Sequence, residues 1–152
     1  MAVIMNFQVL YIPIGVPTFH LESAEIQFNK SIEVLKGIDE TVCVPDEMLL
    51  SIDKLNCFLS DKRPDLVIVQ NLTFANGAYI SEVLRKIDCP VVLWTLREPV
   101  IDGTRLRLNS LTGAFSAANM LKNFGRAFTY IFGAPDEEYV KNKISASFKA
   151  AK

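Results

Sequence analysis

The sequence predicts an α/β domain built on an open, doubly wound parallel sheet of five strands, with helices on both faces. Apolar runs without alternating polar residues recur along the 152 residues, and such runs are typical of strands that are covered on both faces. Segments with apolar residues at three- and four-residue steps, typical of amphipathic helices, lie between them. Because right-handed crossovers place helices on both faces of such a sheet, we expect the strand order 2-1-3-4-5.

The first half of the chain contains two predicted strand–helix units. Residues 7–14 form the first strand, and the amphipathic helix 22–36 ends at Gly37. The short β-branched segment 41–44 is the second strand. A second helix, 49–59, stops before a proline, because the residue that precedes proline disfavours helical backbone.

The second half of the chain repeats this alternation three more times. Its apolar runs are again bounded by glycine, proline or polar residues, which mark turns. The predicted strands are 65–69, 90–93 and 127–132, and the predicted helices are 77–87, 115–124 and 136–152.

Composition limits the class of protein. The formal net charge of −1 provides no basic surface for a nucleic acid or for a membrane. The sequence has no apolar stretch of about 20 residues that could span a bilayer and no signal peptide at its start, so we expect a cytoplasmic domain. Its cysteines, an odd number without metal-ligand spacing, indicate buried thiols in a reducing compartment: Cys43, Cys57 and Cys89.

The most informative segment follows the fourth predicted strand. Residues 93–99 and 103–114 place a tryptophan, three arginines, a glutamate and an asparagine where α/β proteins bind ligands. In doubly wound sheets, ligands lie beyond the carboxyl ends of the strands. We therefore expect the loops 15–23, 70–76 and 94–113 to share one edge of the sheet.

Several chemistries that are common on such sheets are excluded by the residues at this edge. The first loop has Gly15 followed by Pro17 instead of the glycine-rich turn that cradles a dinucleotide or a flavin phosphate. The Walker pattern and the serine elbow of α/β-hydrolases are also absent from the sequence. The third strand leads into Gln70 and Asn71, where a phosphoacceptor receiver would have an aspartate. The remaining amides, hydroxyls, indole and imidazole favour a polyol site.

His20 and Trp94 each allow two interpretations. His20, the single histidine of the chain, can hydrogen-bond to a ligand or transfer a proton, or it can cap and pack against the helix 22–36. Trp94 can present its ring face to a sugar, or it can be the largest side chain of the core. The sequence leaves both pairs of alternatives open.

The polar residues of the long third loop are candidates for ligand binding or for holding the loop. Arg97 and Glu98 can form a pair that keeps the loop in shape. Arg105 and Arg107 alternate with leucines, so we expect the leucines to point inward and the arginines to face solvent or a partner.

The residues before the fourth helix can cap it. Either Ser110 or Thr112 is expected to do so, and free backbone amides there can hold a ligand oxygen. No catalytic or metal-ligating residue is assigned within the chain. The candidate substrate-binding residues are His20, Trp94, Arg97, Glu98, Arg105, Asn109 and Ser110.

Two segments also carry a family resemblance. The first combines Arg97-Glu98-Pro99 with residues 105–113, RLRLNSLTG, and the second is residues 132–136, FGAPD. Both resemble the N-terminal part of L-fucose isomerase-like proteins, which belong with the L-fucose and L-arabinose isomerases. The resemblance extends over most of the chain and is strongest in the arginine-rich first segment.

The resemblance implies a flavodoxin-like first domain of a cytoplasmic, homo-oligomeric, manganese-dependent enzyme that interconverts an aldose and a ketose. In that family the metal ligands belong to later domains, so residues 1–152 would be a single leading domain, without a cofactor of its own and inactive alone. The first domain of one subunit helps to close the active site of a neighbour. The resemblance thereby implies that His20 and Trp94 contact a small-molecule sugar across a subunit interface.

Two alternatives remain open. The chain can be a stand-alone carbohydrate-binding or regulatory domain without catalysis, or an oligomerisation domain whose arginines face a partner chain. The identity of the sugar is also open, because Arg97, Arg105 and Arg107 are compatible with a phosphorylated or acidic substrate.

Overall fold

A four-stranded parallel sheet forms the centre of the protein in the computed structural model, which describes residues 6–152. The sheet order is β1-β2-β3-β4, and every residue of the first three strands is buried. Their continuous apolar runs follow from this burial on both faces. The strands are β1 (Val9–Ile14), β2 (Leu66–Asn71), β3 (Val91–Thr95) and β4 (Phe128–Phe132).

Helices cover both faces of the sheet, as the sequence predicts. On one face, alternate strand residues such as Ile12 and Val69 pack against α2, α3 and α4. On the other face, residues such as Tyr11 and Ile68 pack against α1 and α5. The helices are α1 (Leu21–Ile38), α2 (Ile52–Leu59), α3 (Gly77–Lys86), α4 (Ser110–Asn123) and α5 (Glu138–Ala151).

The predicted second strand, residues 41–44, is not a strand, so the five-stranded order 2-1-3-4-5 is wrong. The segment runs beside β1 but makes only one isolated bridge, between Leu10 and Cys43. A second bridge, between Ile14 and Leu49, follows after a bend. Pro45 lies between the two bridges and has no N–H group to donate, which interrupts the ladder.

Several boundaries differ from the predicted ones because tertiary contacts decide where a helix ends. Gly37 lies inside α1, which continues to Ile38 and has Asp39 as its C-cap residue. The fourth helix begins at Ser110, earlier than the predicted residue 115.

None of the described helices is both long enough and apolar enough to cross a membrane.

The expectation of buried thiols is wrong for the exposed Cys57 and holds only in part for the others. Cys43 and Cys89 are partly exposed, and all three cysteines are free. Burial nevertheless raises the pKa of the Cys89 thiol to about 11.

Candidate functional site

The three loops that follow β1, β2 and β3 meet at the carboxyl edge of the sheet, which confirms the sequence prediction. The loop after β3 crosses the end of β2 and reaches the start of α1. Hydrogen bonds of 2.9 Å join the loops, from Val16 N to Thr73 Oγ1, from Phe74 N to Leu108 O and from His20 N to Arg107 O.

Glu98 holds the long third loop in its conformation. Its carboxylate accepts backbone N–H groups from Arg107 and Leu108 at 3.1 Å and from Asn109 at 2.6 Å. Asn109 itself has left-handed backbone, with φ 53°, directly before α4. Three charge-assisted hydrogen bonds to one half-buried carboxylate fix the end of this loop relative to its beginning.

Arg97 does not pair with Glu98. Its Nε lies 3.0 Å from both carboxylate oxygens of Glu137, and its guanidinium lies 4.7 Å from the ring centre of Phe132. The expected Arg97–Glu98 pair is therefore wrong, because backbone amides already occupy the Glu98 carboxylate. Arg97 instead ties the loop to the start of α5.

A cleft of about 360 Å³ opens between the first and third loops. We call it the arginine cleft. Its volume lies toward the lower end of the range of small-molecule sites. The cleft is lined by Thr18, Phe19, His20, Thr104, Arg105, Leu106 and Arg107.

His20 both caps α1 and lines the arginine cleft. Its Nδ1 accepts the backbone N–H of Ser23 at 3.2 Å and lies 2.7 Å from the Ser23 hydroxyl. A neutral imidazole that accepts at Nδ1 carries its hydrogen on Nε2. The capping interpretation is thus realised, and the exposed ring still has one N–H donor for a ligand.

Arg105 is positioned by an aromatic ring. Its guanidinium lies 4.8 Å from the ring centre of Phe19, whose own ring centre is 6.3 Å from that of Phe74. Cation–π contact and stacking restrict the side chain without using its hydrogen-bond donors. Arg105 therefore keeps its five N–H donors for another partner.

The inward–outward alternation predicted for residues 105–108 holds only in part. Leu108 is fully buried, as expected, but Leu106 is 44% exposed and Arg107 is half-buried. The segment is not a strand, so a period of two does not apply to it. Arg105 and Arg107 line the same cleft. Thr18, Phe19 and Thr104 also line it, although the sequence did not indicate them as site residues.

Trp94 belongs to the core and does not reach the cleft. The side chain has no exposed surface, and its indole N–H donates to the carbonyl oxygen of Gly133 at 2.9 Å. Its packing neighbours include Ile131 of β4 and Phe148 of α5. No face of the indole ring is exposed to a sugar, so Trp94 has the core role that the sequence allowed as its second interpretation.

Ser110 and Thr112 do not cap α4, contrary to expectation. Asn109 occupies the N-cap position and makes no side-chain cap hydrogen bond. The Ser110 hydroxyl is buried, donates to the carbonyl oxygen of Asn71 and accepts the backbone N–H of Leu96 at 2.9 Å. The Ser110 hydroxyl therefore joins β2 to the loop after β3 and is not available to a ligand. The Thr112 hydroxyl donates to Asn109 Oδ1 at 2.8 Å.

Two amides at and after the end of β2 already have protein partners. Gln70 is fully buried, donates to Ser31 Oγ at 2.9 Å and accepts from the Tyr11 hydroxyl, whose pKa is raised by burial. Asn76 caps α3 by accepting the backbone N–H of Ala78 at 3.1 Å. Gln70 is therefore not presented to a ligand, whereas Asn76 is exposed but uses its Oδ1 as a helix cap.

Within residues 6–152, Asn71 and Thr95 are buried polar side chains without hydrogen-bond partners. They are adjacent in the register of β2 and β3 and have no exposed surface. The amide of Asn71 and the hydroxyl of Thr95 make no hydrogen bond with any residue in 6–152. Both are desolvated groups that reduce stability.

A second cleft, of about 280 Å³, lies on the other side of the third loop. It is largely apolar, and Arg97, Glu98 and Asn109 supply its polar edge. Because the carboxylate of Glu98 and the Nε of Arg97 already have protein partners, this cleft offers fewer free donors than the arginine cleft.

No group of three or more His, Cys, Asp or Glu side chains within the described residues is arranged to hold a metal ion. A metal ion of the kind that the family resemblance implies would therefore need ligands from outside residues 6–152.

Sequence comparison identifies relatives with one shared name. No protein-family profile matches the chain. The chain is 56% identical over 146 residues to the sulfoquinovose isomerase of Clostridium sp. (strain MSTE9), covering 95% of this chain and 33% of that protein. It is 42% identical over 142 residues to the enzyme of that name from Priestia megaterium, covering 91% of this chain and 32% of the relative.

A more distant relative extends the same pattern. The sulfoquinovose isomerase of Alkalicoccus urumqiensis is 36% identical over 143 residues, which cover 93% of this chain and 32% of that protein. Over more than nine-tenths of its length, the chain is thus similar to about one third of each of these sulfoquinovose isomerases.

Proposed function

We propose that this chain is a domain of a sugar ketol-isomerase that converts sulfoquinovose, a sulfonated aldohexose, to the corresponding ketose. The observation that carries the proposal is the 56% identity over 146 residues to the Clostridium protein named sulfoquinovose isomerase. Identity at this level over 95% of the chain supports a shared fold and a shared role. The family resemblance at residues 105–113 supports the same class of reaction.

Aldose–ketose interconversion moves a proton between adjacent carbons through an enediol. The Mn²⁺ that the resemblance implies would polarise the carbonyl and hydroxyl oxygens of the sugar. Since residues 6–152 hold no metal-binding group of three side chains, we propose that the metal ligands and the proton-transferring groups lie elsewhere in the protein. The role of this chain is then substrate binding and subunit assembly.

The arginine cleft is the part of the chain that suits a sugar. His20 offers an N–H donor, Thr18 and Thr104 offer hydroxyls, and Arg105 offers a guanidinium. We propose that this cleft forms the edge of an active site in a neighbouring subunit of a homo-oligomer. The three free cysteines are consistent with a reducing, cytoplasmic setting.

The test is conversion of sulfoquinovose by the protein in its full natural length, followed by nuclear magnetic resonance with Mn²⁺ present or removed by a chelator. We expect a ketose signal with Mn²⁺ and none after chelation. Glucose and L-fucose serve as neutral comparison sugars, and light scattering during gel filtration reports the number of subunits. Absence of any aldose–ketose conversion with Mn²⁺ present would reject the isomerase.

The same assay on residues 1–152 alone separates the isomerase from a sugar-binding module. We expect no turnover and no tight Mn²⁺ binding by these residues. Tight, metal-independent sugar binding by residues 1–152 combined with an inactive full-length protein would favour the module without catalysis.

A further inference from the structure

We propose that the arginine cleft is an anion subsite that binds the sulfonate group of the sugar. The identity of the sugar rests on the proposed function, whereas the affinity for an anion rests on the side chains of the cleft. The assignment names Arg105 and Arg107 as the residues that distinguish a sulfonated sugar from a neutral one.

The charge balance of the cleft favours an anion. Three arginines elsewhere in the protein have carboxylate partners, Arg85 at 3.2 Å, Arg97 at 3.0 Å and Arg126 at 3.7 Å. Arg105 and Arg107 have no carboxylate within 4.0 Å in the described part of the chain, residues 6–152. Two guanidinium groups without a carboxylate partner in one concave surface attract an anion.

The nearby acid of the same loop, Asp102, offsets only part of this charge: hydrogen bonds from Thr104 are the main cause of the lowered pKa of its carboxyl, and the charge of Arg107 is a smaller one. Asp102 does not line the cleft. Its Oδ1 accepts from the hydroxyl of Thr104 at 2.6 Å and from the backbone N–H of Thr104 at 3.0 Å. The carboxylate is therefore satisfied within its own turn.

The number and type of hydrogen-bond donors in the cleft suit a sulfonate group. A sulfonate group has three acceptor oxygens and stays ionised throughout the physiological pH range. A guanidinium group matches two such oxygens with parallel N–H groups. The Nε2–H of His20 and the hydroxyl of Thr18 add donors along the same wall.

Protein contacts hold the cleft in shape without a ligand. Phe19 supports Arg105 at 4.8 Å, and the carbonyl oxygen of Arg107 accepts the backbone N–H of His20 at 2.9 Å. Glu98 fixes the backbone of residues 107–109. A preformed site loses less conformational entropy on binding, which favours affinity for a small anion.

The test uses isothermal titration calorimetry on the protein in its full natural length at low ionic strength. The ligands are sulfoquinovose, quinovose (the same sugar without the sulfonate) and inorganic sulfate. The variants are Arg105→Gln and Arg107→Gln, and Arg63→Gln is the matched control because Arg63 is exposed and does not line the cleft. Circular dichroism and the thermal midpoint of each variant verify folding, and Arg105→Lys retains the charge if a glutamine variant is unstable.

We expect each cleft variant to weaken sulfoquinovose binding by about tenfold or more, or about 1.4 kcal/mol, while quinovose binding and the control stay unchanged. Competition by sulfate alone would show that the cleft recognises the anion and not the sugar ring. Unchanged sulfoquinovose binding in both variants, or equal losses for the two sugars, would overturn the subsite.

The outcome for the subsite is separate from the outcome for the isomerase. If sulfoquinovose binds through Arg105 and Arg107 but is not converted, the subsite stands and the proposed reaction fails. If sulfoquinovose is converted and both variants keep the wild-type ratio of kcat/KM for the two sugars, the reaction stands and the subsite fails.

Discussion

The backbone N–H of His20 donates to the carbonyl oxygen of Arg107 at 2.9 Å. This hydrogen bond joins the start of α1 to the loop after β3, although β2 lies between the two strands in the sheet. It brings an imidazole and two guanidinium groups to one cleft. The cleft therefore depends on how the long third loop is held.

Replacing Glu98 by glutamine tests how the third loop is held. The Glu98→Gln variant loses the charge that three backbone N–H groups share, so we expect the free energy of unfolding to fall by about 1–3 kcal/mol. Urea denaturation measures this change. The control is Glu47→Gln at an exposed ion pair with Lys54, which is expected to cost less than about 1 kcal/mol. Equal costs in the two variants would contradict the assigned role of Glu98.

Replacement by alanine is expected to have opposite effects on stability at Gly113 and Gly37. A Cβ atom at Gly113 would lie 2.8 Å from Asn71 Nδ2 and 3.1 Å from the backbone nitrogen of Ala75, so Gly113→Ala is expected to cost about 1–3 kcal/mol. A Cβ atom at Gly37 meets nothing within 4 Å, and Gly37→Ala is expected to leave stability unchanged or raise it by up to about 1 kcal/mol. Thermal denaturation of both variants measures the difference. A tolerated alanine at 113 would mean that α4 can move away from β2.

Two buried threonines provide a second matched pair. The hydroxyl of Thr95 has no partner among residues 6–152, so Thr95→Val removes a desolvated group and is expected to raise stability by about 1 kcal/mol. The hydroxyl of Thr73 accepts the backbone N–H of Val16 at 2.9 Å, so Thr73→Val is expected to lower stability by about 1–3 kcal/mol. Urea denaturation compares both with the wild type. Destabilisation by Thr95→Val would reveal a partner, such as an internal water, for that hydroxyl.

Trp94 is the single tryptophan of the chain and reports directly on its own burial. We expect short-wavelength fluorescence emission that acrylamide does not quench in the folded protein, because the side chain has no exposed surface. Trp94→Phe leaves the carbonyl oxygen of Gly133 without its donor and is expected to cost about 1–3 kcal/mol. Emission that shifts on addition of sugar would instead place the indole at the ligand.

The cysteines are expected to differ in their reaction with iodoacetamide. The pKa of Cys89 is raised to about 11 by burial, so at pH 9 its thiol stays protonated and unreactive in the folded protein. In the unfolded chain the same thiol has an ordinary pKa. Stability linked to this group is therefore fully present below the unfolded pKa and declines as the pH rises toward 11.

Mass spectrometry of alkylated peptides measures the order of modification. We expect the exposed Cys57 to react first and Cys89 to react only above about pH 10 or after denaturation. The Cys57→Ser variant is the control for the assignment of the peptides. Rapid modification of Cys89 at pH 8 in the folded protein would contradict its assigned environment.

The pattern of apolar residues predicted the strands and helices of the fold, because burial of a strand on both faces requires an uninterrupted run of apolar residues within that strand. The uninterrupted apolar runs of β1, β2 and β3 identify covered parallel strands, and their order along the chain places three loops at one edge. The segment 41–44 has the same β-branched composition, yet Pro45 and the following bend leave it with a single bridge to β1. Composition alone does not distinguish such a segment from a strand.

The candidate site was predicted less well, because the role of a polar side chain depends on which groups surround it in the folded protein. His20 and Arg105 line the arginine cleft. Trp94 and Ser110, which come from the same stretch of sequence, are fully buried. Nothing in the spacing of these residues indicates which of them meets a carbonyl oxygen and which meets solvent.

The α/β class, the layers of helix and strand, and the edge at which the loops meet could be predicted from the sequence, since they follow from local hydrophobic periodicity and from the handedness of crossovers. The folded structure was needed to show that Glu98 binds backbone amides, that Arg97 pairs with Glu137, and that Arg105 packs on the ring of Phe19. Each of these contacts joins residues from different loops or from distant parts of one loop. The energies of these contacts depend on the distances between the groups and on their burial, and both are set only when the chain has folded.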